Sequence, residues 1–397
     1  MFSYVVAGCQ TVLSWVFGTV SEQQDSQSVK VFIVGATGMG YNTTGGYESD
    51  FWYTGYVGGA VLALLLASEN AKRFDVTVLS RSAEKARAFE SFGVKAIVGS
   101  LDDLVTLEGI AAESDVVIEC ADADHIASTK AFLAGLRKKY ETTGKAPILV
   151  HTSGTAVLSD NAAGMHGTDV VYCDADPEQL DAIAPTQPHR NVDLTVIAGD
   201  KEGYVKTFIV LPSTIYGLAS GPLVDAGIVN PRSMQIPALI EASLDRRQAG
   251  MVGAGQNFHP NVHIDDVALL YCTIIERALA GDDIGHGREG FYFGENGEHT
   301  MLDIAKTMGA DLEEMGLAGT ADPSTFNKTE LDKYFGGSDS LGTNVRCRAE
   351  RSRGIGWKPA KTSEDMLASI KPEIEHIIAG RKLNSGACSG TGGPLEG

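Results

Sequence analysis

The sequence predicts an α/β fold in which a doubly wound parallel sheet is followed by a smaller C-terminal lobe. Short apolar segments alternate with helix-length segments from Lys30 to Gly217, and this alternation is typical of parallel strands joined by crossover helices. The first apolar segment runs directly into a glycine-rich turn. After Gly217 the alternation loosens, although enough chain follows to form a second unit.

The predicted strands are short and rich in β-branched residues, as expected for a parallel sheet that is covered on both faces. They are Val31–Val34, Val76–Leu79, Lys95–Val98, Val116–Glu119, Ile148–His151 and Thr207–Leu211. The predicted helices are Val57–Ser68, Glu84–Phe92, a helix from about Leu104, Ile126–Tyr140, Arg190–Ala198 and Ala238–Arg247. Because ligands of such sheets bind beyond the carboxyl ends of the strands, the turns that follow them are the candidate site.

Composition excludes several classes of protein. The 397 residues, of which 43% are hydrophobic, suffice for one large domain with an attached lobe. The net charge of −19 argues against nucleic acid and anionic membranes as partners. The six cysteines are far apart and form no C-x-x-C pair, so we expect no disulfide framework, no metal site and a reducing, cytoplasmic location.

The N-terminal segment Tyr4–Val20 is apolar but is interrupted by Gln10, Thr11 and Ser14. It is short for a membrane span, and it lacks the preceding Lys or Arg of a secretory signal. We interpret it as an extension and expect no membrane association, with a membrane anchor as the alternative.

The glycine-rich turn is divided into two parts. Val31–Gly38 reads VFIVGATG and Tyr56–Leu66 reads YVGGAVLALLL, so that direct joining gives the spacing G-x-x-G-x-x-G through Gly35, Gly38 and Gly58. Such glycines allow a tight turn, a close approach of backbone N–H groups to a pyrophosphate, and packing of helix on strand. The predicted dinucleotide-binding residues of this turn are Gly35, Thr37, Gly38, Tyr56, Val57 and Gly58.

Met39–Gly55 separates the two parts of the turn and shows neither a helical nor a strand period. Codons for Gly38-Met39-Gly40 and for Thr54-Gly55 are able to contain a splice donor and a splice acceptor. We therefore hypothesise that the segment is a retained intron in a conceptual translation. A surface loop is the alternative.

Several motifs occur in a characteristic order: GATG with YVGG, LSRS, HTSGT, VLPSTIYG, NVHIDDVA and GIGWKP. In this order the chain resembles the short-chain dehydrogenase/reductase superfamily, and most of all its extended and atypical, epimerase/dehydratase-like branch. The resemblance covers roughly residues 30–380. It implies a Rossmann-type doubly wound sheet, a bound NAD(P) and a smaller C-terminal substrate lobe.

The resemblance divides the chain into four parts. Residues 1–29 are an N-terminal extension, and residues 30–217 are an NAD(P)-binding Rossmann domain that contains the insert at 39–55. Residues 218–383 are a substrate-binding lobe that partly returns to the core. The Gly/Ser-rich residues 384–397 are predicted to be a disordered tail.

The expected cofactor is NADP, with NAD as the alternative. Arg81 follows the second strand, where an arginine suits the 2′-phosphate of NADP and an acid would suit the ribose of NAD. Ser80 adds a hydroxyl there, and Asp102 is a candidate for the adenine. The resemblance places the end of the fifth strand and the VLPSTIYG motif near the nicotinamide, which implicates Thr152 and Pro212.

The catalytic Tyr-x-x-x-Lys pair that the resemblance implies is absent from the whole sequence. The region that should hold it reads PTQPHRNVD, where His189 falls near the lysine position and Asp193 follows at i+4. The carboxylate of Asp193 could then orient a catalytic His189, with ordinary polar contacts as the alternative. Ser153 is the candidate substrate-binding hydroxyl, with a capping role as the alternative.

Two functions remain open. The first is an NAD(P)-dependent oxidoreductase of the epimerase/dehydratase type that acts on a carbonyl or secondary alcohol of a small or sugar-like substrate. Its substrate contacts would include Ser213, Tyr216 and Asn257. The second is a non-catalytic, NADP-sensing regulator of the NmrA-like type, which the missing catalytic pair favours. A homodimer is possible in either case.

Overall fold

The computed structural model describes residues 28–36 and 55–387. Thr37, Gly38 and nearly all of the insert therefore lie outside the described residues, as do most of the N-terminal extension and the last ten residues. Within the described residues, no helix combines the length and the apolar composition that a membrane span requires. The cysteines of the described residues form no disulfide with one another.

Fourteen strands are present among the described residues. In chain order they are β1 Val29–Val34, β2 Phe74–Ser80, β3 Lys95–Val98, β4 Val116–Glu119, β5 Ile148–Thr152, β6 Tyr172–Cys173, β7 Lys206–Pro212, β8 Thr214–Tyr216, β9 Gly250–Met251, β10 Phe258–His263, β11 Phe291–Gly294, β12 Glu298–Thr300, β13 Ser324–Thr325 and β14 Cys347–Arg348.

Thirteen α-helices are present among the same residues. They are α1 Val57–Ala67, α2 Ala83–Glu90, α3 Leu104–Glu113, α4 Ile126–Thr143, α5 Pro177–Asp181, α6 Arg190–Lys201, α7 Pro222–Asp225, α8 Gln235–Arg246, α9 Ile264–Ala280, α10 Met301–Glu314, α11 Lys328–Phe335, α12 Glu350–Gly354 and α13 Ser363–Ala387. Helix α13 ends at Ala387 and therefore extends into the tail that is predicted from residue 384.

Seven strands form the main sheet in the order β3-β2-β1-β4-β5-β7-β11, and every neighbouring pair is parallel. The prediction of a doubly wound α/β fold is confirmed, and all six predicted strands are present. The seventh strand, β11, is not among the predicted strands. Its run of Phe291, Tyr292 and Phe293 is buried throughout, and such a continuous apolar run does not distinguish a strand from other core segments.

Helices cover the main sheet closely. Helix α1 packs against α9, and α3 packs against α4. The α3–α4 contact depends on Gly135, because a Cβ atom there would lie 2.3 Å from the Glu108 carbonyl oxygen. These helices fix the loops at the carboxyl ends of the strands, where the candidate residues lie.

The C-terminal lobe has its own small sheet, in the order β12-β10-β8. Strand β10 is antiparallel to β12 and parallel to β8. A second core of α8, α10 and α13 side chains, including Ile240, Ile304 and Ile370, packs beside this sheet. Helix α9, strand β11 and the segment 345–357 instead contribute to the core of the main sheet, so the C-terminal part of the chain returns to the first domain repeatedly.

Candidate functional site

The glycine-rich turn brings the end of β1 close to the start of α1. Gly35 follows β1 with a φ of +93°, and a Cβ atom there would lie 2.5 Å from the Cys120 backbone. A Cβ atom on Gly58, in the first turn of α1, would lie 2.6 Å from the Gly35 carbonyl oxygen. Gly35 and Gly58 are therefore packed against each other although 22 residues separate them in sequence. Only glycine permits both the left-handed backbone and the close contact.

Gly55 occupies the position between them. Its φ is +107°, and its carbonyl oxygen accepts a hydrogen bond from the Gly59 N–H at 3.2 Å. The sequence predicts Gly38 for this position, but both Gly38 and Thr37 lie outside the described residues. Removing residues 38–54 or 39–55 leaves the same string, GATGYVGG. For that reason the sequence alone could not identify which glycine precedes the helix.

The N-terminus of α1 offers backbone rather than side-chain contacts. The Tyr56 side chain is buried, and its hydroxyl donates to the Gly217 carbonyl at 2.5 Å. Burial raises the pKa of Tyr56, so this phenol stays neutral. Val57 begins the helix, whose first turn contains no acidic residue. The first N–H groups of a helix lack intrahelical acceptors and favour an anion, so the turn fits a diphosphate.

The residues predicted for the adenosine end follow β2 and β3. The buried Ser80 hydroxyl donates to the Ser82 carbonyl at 3.0 Å and thus holds the turn that positions the exposed Arg81. The largely exposed Asp102 lies 3.3 Å from Nε2 of His125, in the loop that follows β4. Ser80 therefore has a local structural contact, whereas Arg81 and Asp102 lie at the rim of the sheet.

Thr152 and Pro212 end neighbouring strands of the sheet. The Thr152 hydroxyl lies 2.6 Å from the Tyr271 hydroxyl and donates to Cys120 Sγ at 3.2 Å. Burial raises the pKa of Cys120 to about 12, so its thiol is not a nucleophile. Pro212 is buried and pairs with Gly294 of β11. The side chain of Thr152 therefore contacts α9, and its predicted cofactor contact would have to come from the backbone.

The predicted pairing of the His189 ring with the Asp193 carboxylate is not found in the structure. His189 is the residue before α6, and its carbonyl accepts the helical hydrogen bond from the Asp193 N–H at 3.1 Å, but its φ of +65° directs its side chain away from the Asp193 carboxylate. Its Nδ1 lies 3.0 Å from Oδ1 of Asp124, and its backbone N–H donates to the same oxygen at 3.1 Å. A Cβ atom on Gly154 would lie 3.3 Å from His189 Nε2, which places the ring at the carboxyl end of β5.

Asp193 lies instead in a buried polar cluster behind Ser153. Its Oδ1 is 3.9 Å from Nε2 of His151, whose Nδ1 is 2.9 Å from Oε2 of Glu119. The Ser153 hydroxyl lies close enough to stabilise the ionised form of Asp193 but short of a formed hydrogen bond. Two of the three predicted catalytic residues, Ser153 and Asp193, are thus brought together, and His189 faces the same loop from the solvent side.

Sequence reasoning missed Glu119, Asp124 and His151. Glu119 and His151 are polar residues at the ends of otherwise apolar strands, and they are register partners in the β4–β5 pair. A carboxylate and an imidazole at equivalent ends of neighbouring parallel strands were the signal that could have identified them. Asp124 follows β4 by five residues, in a loop whose path only the packing of α6 decides.

The three predicted substrate residues are not brought together. The Ser213 hydroxyl donates to the Gly294 carbonyl at 2.7 Å, and the Tyr216 hydroxyl donates to the Thr362 carbonyl at 2.8 Å. Tyr216 pairs with the last residue of β10, whereas Asn257 precedes its first. Six residues of strand separate these ends by about 20 Å, so no small substrate contacts both residues.

Tyr216 also lines a cavity of about 240 Å³ between the ends of β8 and β10 and helix α13. Neither Ser153 nor His189 lines this cavity. Among the described residues, no group of three or more His, Cys, Asp or Glu side chains is arranged to hold a metal ion.

Comparison with known proteins identifies the family. Residues 54–136 match the family described as the NAD-binding domain of homoserine dehydrogenase. The oxidase ucsJ of an Acremonium species is 31% identical over 327 residues, which cover 77% of this chain and 90% of that protein. An uncharacterised protein of Schizosaccharomyces pombe is 26% identical over 327 residues, which cover 78% of this chain and 93% of the relative.

Solved structures share the fold at low sequence identity. The UDP-glucose 4-epimerase of Thermotoga maritima, solved with UDP-glucose, has a TM-score of 0.58 at 14% identity and covers 88% of this chain and 99% of its own. The dTDP-glucose 4,6-dehydratase of Bacillus anthracis, solved with NAD, has a TM-score of 0.57 at 16% identity. The match covers 88% of this chain and 97% of the dehydratase. This chain therefore belongs to one family with the oxidase ucsJ, and its main domain is an NAD(P)-binding Rossmann domain with the fold of the epimerase and dehydratase structures.

Proposed function

We propose that this protein is an NADP-dependent oxidoreductase that acts on a carbonyl or secondary alcohol carbon of a small or sugar-like substrate. In this proposal His189 is the acid/base group that replaces the absent tyrosine of the superfamily. The observation that carries the proposal is the Asp124–His189 pair at the carboxyl ends of β4 and β5.

The Asp124–His189 pair determines which ring nitrogen of His189 carries the proton. The hydrogen bond from His189 lowers the pKa of Asp124, so this side chain is a carboxylate at neutral pH and only accepts. Nδ1 of His189 must then be the donor, and in a neutral ring Nε2 carries the lone pair. The His189 side chain is 17% exposed, which leaves it open to a substrate while most of the ring is shielded. Nε2 is thus placed to take a proton from an alcohol or, once protonated, to return it to a carbonyl oxygen.

The remaining candidate residues have binding roles in this proposal. Gly35, Gly55 and Gly58 would hold the diphosphate at the start of α1, and Arg81 would contact the 2′-phosphate that distinguishes NADP from NAD. When bound, the nicotinamide supplies or accepts a hydride. Ser153 would hydrogen-bond the oxygen of the reacting carbon, with Asp193 behind it.

The comparisons support a redox reaction on a nicotinamide cofactor. One relative bears the name of an oxidase, and the fold neighbours include a dehydratase solved with NAD. A UDP-glucuronic acid 4-epimerase of Bacillus cereus, solved with UDP-glucuronic acid and NAD, shares the fold at a TM-score of 0.57.

The test is a titration with NADPH and NADH, followed by a screen for nucleotide oxidation with a panel of ketones, aldehydes and keto-sugars. The His189→Gln variant should bind NADPH as the natural protein does but lose about 10²-fold or more in kcat. His286→Gln is the matched control, because His286 forms an equivalent pair with Asp200, with Nδ1 2.8 Å from Oδ2, at the amino end of β7 rather than at the carboxyl ends of the strands.

Three outcomes separate the alternatives. Turnover that depends on His189 but not on His286 supports the proposal. Tight NADPH binding without turnover on any member of the panel supports the NADP-sensing regulator instead. Turnover that survives His189→Gln unchanged removes His189 from the mechanism.

A further inference from the structure

The buried cluster behind Ser153 contains an unusual concentration of unpartnered polar atoms. Among the described residues these atoms include Nε2 of His151, Oγ of Ser153, both carboxyl oxygens of Asp193, and Nε and Nη1 of Arg190. All four side chains are less than a tenth exposed. Because an unpaired buried polar group is costly, such a cluster is expected to complete its hydrogen bonds in another state of the protein.

The partners are already close to one another. His151 Nε2 lies 3.9 Å from Asp193 Oδ1, so an approach of about 1 Å would form a hydrogen bond. The other side of the imidazole is fixed, because Nδ1 contacts Glu119 at 2.9 Å. Glu119 in turn accepts from the hydroxyls of Ser128 and Thr129 at 3.3 and 2.8 Å. The hydrogen bonds of this cluster are therefore formed at Glu119, whereas the one between His151 and Asp193, next to Ser153, is not formed.

The charges of the cluster balance. Glu119 and Asp193 are potential anions, and His151 and Arg190 are potential cations. Burial disfavours a charged His151, but the charge and the hydrogen bond of Glu119 outweigh it and raise the pKa of His151. Burial raises the pKa of Asp193, which the nearby His151 and Arg190 partly offset. Asp193 is therefore the member of the cluster whose charge is least firmly held.

We propose that Asp193, backed by His151, decides whether the Ser153 hydroxyl accepts or donates a hydrogen bond toward the substrate oxygen. Ser153 and Asp193 thereby become specificity-determining residues for the alcohol and carbonyl forms of the substrate. This inference rests on the proposed function, since it assigns Ser153 to the substrate.

The reason is the single hydrogen of the serine hydroxyl. An ionised Asp193 only accepts, so the Ser153 hydrogen points inward and its lone pairs face the substrate, where they match the O–H of an alcohol. A protonated Asp193 donates to Ser153 Oγ, so the serine hydrogen points outward and matches a carbonyl oxygen. Uptake of one proton from solvent thus exchanges recognition of the alcohol for recognition of the carbonyl, and no bond to carbon is made or broken.

Few charged groups act on His151 and Asp193. His151 is acted on by Glu119, Asp193 and Asp124, and Asp193 by His151, Arg190 and His189. His151 contributes the largest opposing charge at Asp193, so its replacement should move the titration of Asp193 more than any other single change.

The first arm of the test needs no substrate. An infrared pH titration of the full chain should show the C=O band of a protonated carboxylic acid that disappears in Asp193→Asn. In His151→Gln the midpoint of this band should move up by about 1 to 3 pH units, because a nearby positive charge is lost. His286→Gln should leave the band unchanged. Absence of an Asp193 band, or a midpoint that His151→Gln does not move, overturns the inference.

The second arm uses cyclohexanol and cyclohexanone as probes of the two recognition states. In Asp193→Asn the amide N–H₂ acts as a permanent donor toward Ser153. We expect the ratio of the KM for cyclohexanol to the KM for cyclohexanone to rise by about tenfold or more, while Ser153→Ala abolishes this discrimination. An unchanged ratio in Asp193→Asn overturns the inference. Absence of all turnover counts against the proposed function, and the infrared arm then decides the behaviour of Asp193 alone.

Discussion

Asp124 accepts two hydrogen bonds from a single residue, His189, one from ring Nδ1 and one from the backbone N–H. The two residues are 65 positions apart, in the loop after β4 and immediately before α6. This double contact fixes both the backbone and the ring of His189. The ring then lies over Gly154, where the lack of a side chain leaves space for it.

The first prediction concerns this pair. Asp124→Asn replaces a pure acceptor by an amide that is able to present a donor to Nδ1, so the tautomer of His189 is no longer specified. We expect kcat to fall by about 10- to 100-fold while the Kd for NADPH stays within about twofold. Steady-state kinetics measures kcat, and a fluorescence titration measures the Kd for NADPH. Asp282→Asn, which removes only an exposed ion pair with Arg277, should change neither, and an unaffected kcat in Asp124→Asn contradicts the role of the pair.

The second prediction concerns the glycine turn. In Gly58→Ala the new methyl group would lie 2.6 Å from the Gly35 carbonyl oxygen, so α1 must shift away from β1. We expect a lower melting temperature and NADPH binding weakened by about tenfold or more. In Gly109→Ala, within α3, the new methyl group meets no atom within 4 Å. This control substitution should raise the free energy of unfolding by about 0.5–1 kcal/mol, because alanine is favoured over glycine within a helix. Equal melting temperatures for the two variants would contradict the proposed packing.

The third prediction concerns the insert. Deletion of Met39–Gly55 brings Gly38 to the position that Gly55 occupies, so the left-handed residue before α1 remains a glycine. We expect tighter NADPH binding and a larger rise of the melting temperature on adding NADPH. Isothermal titration calorimetry on both chains measures the affinity. Equal affinities would favour a tolerated surface loop, and a spliced transcript that still encodes the segment would end the intron hypothesis.

The fourth prediction concerns the pH dependence of stability. The pKa of His151 is raised in the folded state by Glu119. The group therefore stabilises the native state fully below its unfolded pKa of about 6.5, and this contribution is lost as the pH rises through the folded value. We expect the free energy of unfolding in urea to fall from about pH 6.5 upward in the natural protein, and less steeply in His151→Gln. Equal slopes in the natural protein and in His151→Gln would contradict a charged His151.

The fifth prediction concerns nucleotide preference. Arg81→Asp places a carboxylate beside the expected 2′-phosphate, so NADPH affinity should fall by about tenfold or more while NADH affinity is retained or improved. Parallel titrations with the two nucleotides measure the ratio. Arg87→Asp, an exposed change on the same helix-and-loop segment, is the charge-matched control. If both variants change the ratio equally, general electrostatics rather than Arg81 sets the preference.

The sequence by itself determined the sheet of the main domain, because alternation of short β-branched runs with helical segments is a local property of the chain. The same is true of Gly35 and Gly58, whose spacing is recognisable once the two parts of the turn are joined. Strand β11 was not predicted as a strand, since its aromatic run is compatible with any buried segment and its place in the sheet depends on pairing with β7.

Only the tertiary structure decided the partners of the candidate catalytic residues. Helical spacing predicts an Asp193–His189 pair. His189 itself has a left-handed backbone before α6, and its ring contacts Asp124 instead. Glu119 and His151 meet across 32 residues because β4 and β5 pair in one particular register. The sequence pattern places a polar residue at the end of each strand, but which strands are neighbours and in which register they pair depends on how distant segments pack.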